Sequence, residues 1–386
     1  MKRKRTGFTL VILLLALSVV CEWTLFTGQP PTPGGVSVVI AAASGPATPI
    51  PSPVFSPTPS AYARPEFQAG ISFPQWGPSA YSPANRYYER GLREILYQTG
   101  ARWVQLAVTL EQDSYNSTTV QVGAQTPTPA TLLDGIRTAH SLGLRVFIVP
   151  LITLRHQTPW HSQWAGDIRC ASDAKCTAWF ASYWSALKPY LMAAQAGGAE
   201  QFAIGTEFEN LAILPTHYWT QLLSNVTSVY SGALTYDLNF SFLQAHTDGL
   251  PLWLKDRRLA AIGVSSYFSL VDQPVHVDPA AMPALWAKKV QAPLDALSAY
   301  LGKPVLISEI GYRNSADALY KPYMSVTAAP ADPTEQAGIY RAAVSDAVFD
   351  PHILGIYFWA WSLPPFAPNG LPAASELRTW YTAPWA

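Results

Sequence analysis

Two glutamates close apolar runs far apart in the chain, Glu207 in Phe202-Ala203-Ile204-Gly205-Thr206-Glu207 and Glu309 in Pro304-Val305-Leu306-Ile307-Ser308-Glu309. A buried carboxylate is costly to keep ionised, so two acids delivered by separate buried strands point to chemistry. The chemistry they fit is glycosidic bond cleavage: one carboxyl protonates the leaving oxygen, and the other acts at the anomeric carbon. The competing reading makes each Glu a structural acid paired with an arginine.

Such a pair needs neighbours. A nucleophilic carboxylate must stay ionised and wants donors, for which Tyr267, Tyr312 and Arg313 stand in reach along the chain. An acid must hold its proton, and Glu209, with Phe208 between it and Glu207, would supply negative charge on the same side of a strand. Trp359 and Trp361, in Tyr357-Phe358-Trp359-Ala360-Trp361, share a parity and offer flat apolar faces to a sugar. Trp76 and Asn239 are weaker candidates for the same surface, Asn239 being equally at home as a turn former.

The elements that must position these residues are legible as eight short apolar runs, at 69–73, 103–109, 145–151, 201–206, 233–239, 260–267, 304–308 and 354–361. Helical spacing of apolar residues marks 83–99, 129–142, 173–196, 215–230, 282–301 and 332–348 between them. This alternation predicts an α/β chain folded as a (β/α)8 barrel, with chemistry at the C-terminal ends of the strands; a doubly wound open sheet is the rival topology. Glu207 then ends the fourth strand and Glu309 the seventh.

The N-terminus has a different character. Lys2-Arg3-Lys4-Arg5 followed by an apolar run over 8–21 reads as an export signal, so residues 1–27 are a signal peptide or a retained membrane anchor. Lipidation at Cys21 would want a small residue where Val20 stands. Residues 28–65, rich in Pro, Thr, Ser and Ala, read as a linker, and 66–386 as one folded domain. The protein is expected outside the cell, free or anchored to the outer face of the membrane, and as a monomer.

Of 25 Lys and Arg, four lie in the signal, leaving 21 against 25 Asp and Glu; this mildly acidic balance argues against a nucleic-acid partner. Fourteen Trp with only 13% charged residues suit a pocket for neutral rings. In an exported chain Cys170 and Cys176 read as a loop disulfide; His156 and His161 nearby raise zinc, but the spacing fits no standard ligand set, and no metal or cofactor is expected. Phosphate-loop, dinucleotide and nucleophile-elbow motifs are absent.

Strand-4 and strand-7 glutamates on one barrel are the arrangement of glycoside hydrolase clan A. The chain resembles family 113, the β-mannanase-like barrels, through Gly70-Ile71-Ser72-Phe73, Thr99-Gly100-Ala101-Arg102-Trp103-Val104, Gln112-Asp113-Ser114-Tyr115-Asn116-Ser117-Thr118-Thr119, Ile204-Gly205-Thr206-Glu207, Leu234-Thr235-Tyr236-Asp237-Leu238-Asn239 and the stretch from Gly302 to Arg313. That resemblance implies a retaining hydrolase of β-linked polysaccharide, β-1,4-mannan foremost, with Glu207 as acid/base and Glu309 as nucleophile, and a Trp in the last strand against the sugar. Departures stand beside the matches. Thr206 precedes the acid where clan A commonly has Asn; Leu151 and Thr153 occupy a segment that is polar in relatives; Ser265-Ser266 replaces an expected Asp. A glycosidase on another cell-wall or exopolysaccharide glycan, or a carbohydrate-binding barrel without turnover, is the alternative reading.

Overall fold

Strands buried on both faces read as unbroken apolar runs, and the runs here become a closed barrel. The computed structural model describes residues 67–156, 163–246 and 249–383. Its strands in chain order are β1 (Gln68–Ser72), β2 (Trp103–Gln112), β3 (Val120–Val122), β4 (Arg145–Leu154), β5 (Gln201–Thr206), β6 (Ala233–Asn239), β7 (Ile262–Ser265), β8 (Val305–Ile310) and β9 (Ile353–Phe358). All but β3 are parallel and neighbours in sequence order, and β1 bonds both β2 and β9, which closes eight strands into a ring. The short β3 pairs antiparallel with the end of β2 as an outer arm.

Helices α1 (Arg86–Thr99), α2 (Pro129–Ser141), α3 (Asp173–Gly197), α4 (Glu209–Ala212), α5 (Thr216–Thr227), α6 (Phe240–Ala245), α7 (Met282–Trp286), α8 (Ala292–Leu301), α9 (Pro333–Ala347) and α10 (Pro372–Tyr381) complete the (β/α)8 architecture. The helix expected over 282–301 is α7 and α8 joined through a π-helical segment at 287–291. The α4 and α6 turns are too short to show a periodicity, and α10, which packs on α9 and α1 through Ala373, Ala374, Leu377 and Tyr381, is a helix not among those expected.

Alternation along each strand divides the core in two. Val104, Leu106, Val108 and Leu110 of β2 face the helices in the large outer core, whereas Trp103 and Ala107 turn to the axis, where Phe147, Val149, Ala203, Leu306 and Tyr357 meet them. Several polar side chains on the axis bond to one another: Tyr357 Oη donates to Gln68 Oε1 (2.8 Å), Gln68 Nε2 to Gln201 Oε1 (2.7 Å), and Ser72 Oγ to Gln105 Oε1 (2.6 Å).

The signal or anchor at 1–27 and the linker at 28–65 lie outside the described residues. Cys170 and Cys176 are disulfide-bonded across the start of α3, whose N-cap is Ser172. With both sulfurs oxidised they supply no thiolate for zinc. His156 instead meets Asp113 at 2.7 Å, and His161 lies outside the described residues.

Candidate active site

Both glutamates arrive at the barrel mouth through a local irregularity. Between Ala203 and Thr206, β5 spends three residues where β6 spends two (Thr235 to Asp237), and β8 does the same between Ile307 and Ile310 against Ile356 to Phe358 of β9. Strict alternation would send Glu309 outward with Val305 and Ile307. The extra residue turns it to the axis, which is what a β-bulge does beside a site. Glu207, one residue past β5, has φ +60°, a left-handed backbone that costs about 1 kcal/mol or more for a residue with a Cβ. Its N–H donates to Asp237 O (2.8 Å), and that bond helps hold the strained turn.

Each carboxyl has its own donor. Tyr267 Oη donates to Glu309 Oε1 at 2.7 Å, and Asn239 Nδ2 donates to Glu207 Oε1 at 2.7 Å. Asn239 is itself oriented, because its Oδ1 accepts from Ser241 N–H (2.9 Å), so the amide nitrogen must face the carboxylate. Glu209 belongs to α4, not to an extended strand, and accepts from Ser241 Oγ. It therefore reaches Glu207 by charge and through the Ser241–Asn239 relay.

Burial dominates the electrostatics. It pushes the Glu207 carboxyl up to about 7, against the pull of Ser265 and Asn239 and with a further push from the Glu209 charge. Ser265 Oγ is close enough to act although it makes no hydrogen bond. Glu309 is raised by burial and by the Glu207 charge, with Tyr267 opposing and Asp237 adding. Carboxyls so coupled lose their protons in separate macroscopic steps, so the cluster carries partial charge across the neutral range. That is the electrostatic requirement of acid-assisted displacement.

A family model for Glycoside Hydrolase Family 113 matches residues 81–372. The chain belongs to Glycoside Hydrolase Family 113. Membership makes it a glycoside hydrolase, with a polysaccharide or oligosaccharide as substrate. Among solved structures, a family 113 β-1,4-mannanase is similar at 21% identity with a TM-score of 0.68, over 82% of this chain and 99% of that one. The family 113 β-mannanase of Alicyclobacillus acidocaldarius in complex with ManMIm is similar at 21% identity and a TM-score of 0.66, over 82% and 97%. The β-glucuronidase of Ruminococcus gnavus shares 9% identity and a TM-score of 0.52, over 82% of this chain and 50% of that one. At these identities the likeness concerns the fold. No curated protein matches the chain.

Not every residue named from the sequence joins this family 113 site. Arg313 is a correction: it is 1% exposed, and its guanidinium donates to the carbonyls of Lys321, Met324, Asp317 and Tyr320 at 2.8–3.0 Å and pairs with Asp317 at 3.3 Å. It braces the loop after β8, and Glu309 takes its donor from Tyr267. Tyr312 likewise turns into the outer core beside Tyr340. Lysine cannot reproduce the planar fork, so Arg313→Lys is expected to cost about 3 kcal/mol or more, read as a lowered urea midpoint.

The shared parity of Trp359 and Trp361 also fails, since β9 ends at Phe358 and alternation ends with it. Trp359 packs with Ala360, Leu363 and Phe366, and half-buried Trp76 and Leu151 lie against that cluster; Trp361 belongs to the outer core. Leu151 thus forms an apolar wall beside Trp359 and Trp76. Among the described residues one group has cation-binding chemistry, His276, Asp332 and Glu335. There Asp332 caps α9, and His276 Nδ1 meets Glu335 Oε2 at 2.6 Å, a hydrogen-bond distance. The residue that sequence reading did not single out for the site is Asp237, buried within reach of both glutamates. Its signal was present, for Thr235, Asp237 and Asn239 alternate toward one face of β6.

Proposed function

We propose that the protein is an exported retaining β-glycosidase acting on β-1,4-mannan, with Glu309 as nucleophile and Glu207 as acid/base. The observation that carries this reading is the convergence of two buried, electrostatically coupled glutamates from the fourth and seventh barrel strands, with a tyrosine hydroxyl held on Glu309. Mannan is favoured because the family 113 structures similar to this chain are those of β-mannanases.

In this mechanism a Glu309 oxygen attacks the anomeric carbon as the glycosidic C–O bond breaks, and the proton of Glu207 passes to the departing oxygen. The Tyr267 hydroxyl stabilises the ionised nucleophile and orients its free oxygen. Glu207, now ionised, takes a proton from water, and the resulting hydroxide attacks the glycosyl ester; the sugar leaves with its original configuration, and both carboxyls return to their starting states. Asn239 fixes Glu207 in both halves. Trp359, Trp76 and Leu151 would line the cleft with apolar surface suited to a sugar face. Export rests on the basic and apolar N-terminal segment.

The test is reducing-end release by the full chain on a panel of β-mannan, cellulose, xylan and β-1,3-glucan, with NMR of the first-formed anomer. Cleavage of mannan with retained configuration is the expected result. Preference for another glycan would move the substrate while keeping the mechanism, first-formed inverted product would overturn the mechanism, and no cleavage of any glycan would leave a binding barrel.

A further inference from the structure

Beneath the two glutamates lies a third acid. Asp237 on β6 is 1% exposed, and alternation turns it to the axis with Thr235 and Asn239, while Leu234, Tyr236 and Leu238 pack in the outer core. In register it stands beside Thr206 of β5 and Gly263 of β7. A Cβ on Gly263 would lie 1.8 Å from Asp237 Oδ1, so glycine leaves the room this carboxyl occupies. Asp237 Oδ1 has no hydrogen-bond partner, and among the described residues no Lys, Arg or His pairs with it.

We propose that Asp237 is a third acid of the active site, keeping its proton during turnover and so holding the buried carboxyl cluster to the single negative charge that Glu309 needs. The inference rests on the roles given above to Glu207 and Glu309.

An ionised carboxylate buried without a partner costs several kcal/mol, and protonation relieves it. The groups facing Asp237 include no cation: they are Glu207 from the end of β5, Glu309 and Ser308 from β8, Tyr357 from β9 and Thr235 of its own strand, and only the Ser308 and Thr235 hydroxyls favour its ionised form. Every titratable member is an acid. Burial and then the Glu207 charge push the Asp237 carboxyl well above its ordinary range, while any charge on Asp237 would in turn push Glu309 up and oppose nucleophile ionisation. Asp237 acts through the glutamates and is a positioning residue.

The consequence is a steep alkaline side of the pH–rate profile. Glu207 and Asp237 must both keep a proton in the working form, and each loss on the alkaline side removes activity, so log kcat/KM should descend with a slope that reaches two. Asp237→Asn, matching a neutral acid in shape, cannot ionise and should give a slope of one throughout, with kcat/KM at the optimum lowered less than about tenfold. Should that chain fail to fold, Asp237→Ser must give the same slope. A slope of one in the wild type, a slope of two in the variant, or a variant limb displaced to lower pH would overturn the proposal; the last would mean Asp237 is ionised beside Glu207 in the working enzyme. A readout without substrate separates this from the glycosidase reading. The infrared difference spectrum of wild type minus variant at neutral pH should show the C=O stretch of a protonated carboxyl, and its absence would refute a protonated Asp237 whether or not any glycan is cleaved.

Discussion

Glu309→Ala is expected to lose turnover by at least about 10⁴-fold on natural and activated substrates alike, because no other group is placed to form the glycosyl ester. Glu207→Ala should behave asymmetrically. On a polysaccharide, whose leaving oxygen needs a proton, the loss should reach about 10²–10⁴-fold; on an aryl glycoside with a good leaving group the first step should be nearly spared. The second step still lacks its base, so the glycosyl-enzyme should accumulate and appear as a burst of released aglycone. External azide, which needs no base, should then restore turnover and yield a glycosyl azide of retained configuration. The variants are compared by kcat and kcat/KM on both substrate types, with mass spectrometry of the trapped ester. Equal losses for both variants on the activated substrate would remove the assignment of roles, and two fully active variants would remove the glycosidase mechanism from this cleft.

The fold was legible because each barrel strand is buried on both faces and each interval between strands is long enough for a helix, so that runs such as 103–109 and 145–151 need no partner to be recognised. The two glutamates were legible because a carboxyl at the end of an apolar run is conspicuous. What placed Glu309 on the axis was not legible: the bulge in β8 is a relation between two strands, and alternation within Val305–Ile310 alone points the side chain the wrong way. Arg313 was misread for a related reason. Adjacency to Glu309 in sequence suggested adjacency in space, but the chain leaves β8 at Ile310 and the guanidinium gathers the carbonyls of the loop that follows. Tyr267, two residues past the end of β7 where Arg313 is three past the end of β8, turned inward instead, and tertiary packing distinguishes the two. Asp237 entered the sequence reading only within the motif from Leu234 to Asn239, because it lies inside a strand and not at its end; in a closed barrel its alternation with Thr235 and Asn239 turns it to the axis.

The same burial that equips Glu207 for acid catalysis should make it a liability to stability, with a definite dependence on pH. In the native state Glu207 holds its proton up to about 7, against an ordinary value of 4.5 in the unfolded chain. Between these values the native state binds more protons than the unfolded state, so the free energy of unfolding falls as pH rises through the window and reaches its full loss above 7. A shift of this size corresponds to about 3 kcal/mol, shared in practice with Glu309 because the two acids titrate together. Glu207→Gln keeps the shape and the bond from Asn239 but cannot ionise. It should therefore be more stable than the wild type at about pH 8, by about 1–3 kcal/mol, and nearly equal to it at about pH 4, where both states of the wild type are mostly protonated. Urea unfolding of both chains at the two pH values measures the difference directly. A variant less stable at both would mean that Glu207 is held by contacts an amide cannot replace. A gain confined to the alkaline measurement, together with lost turnover on polysaccharide, would show that this carboxyl is kept in the barrel for its proton and at the expense of the fold.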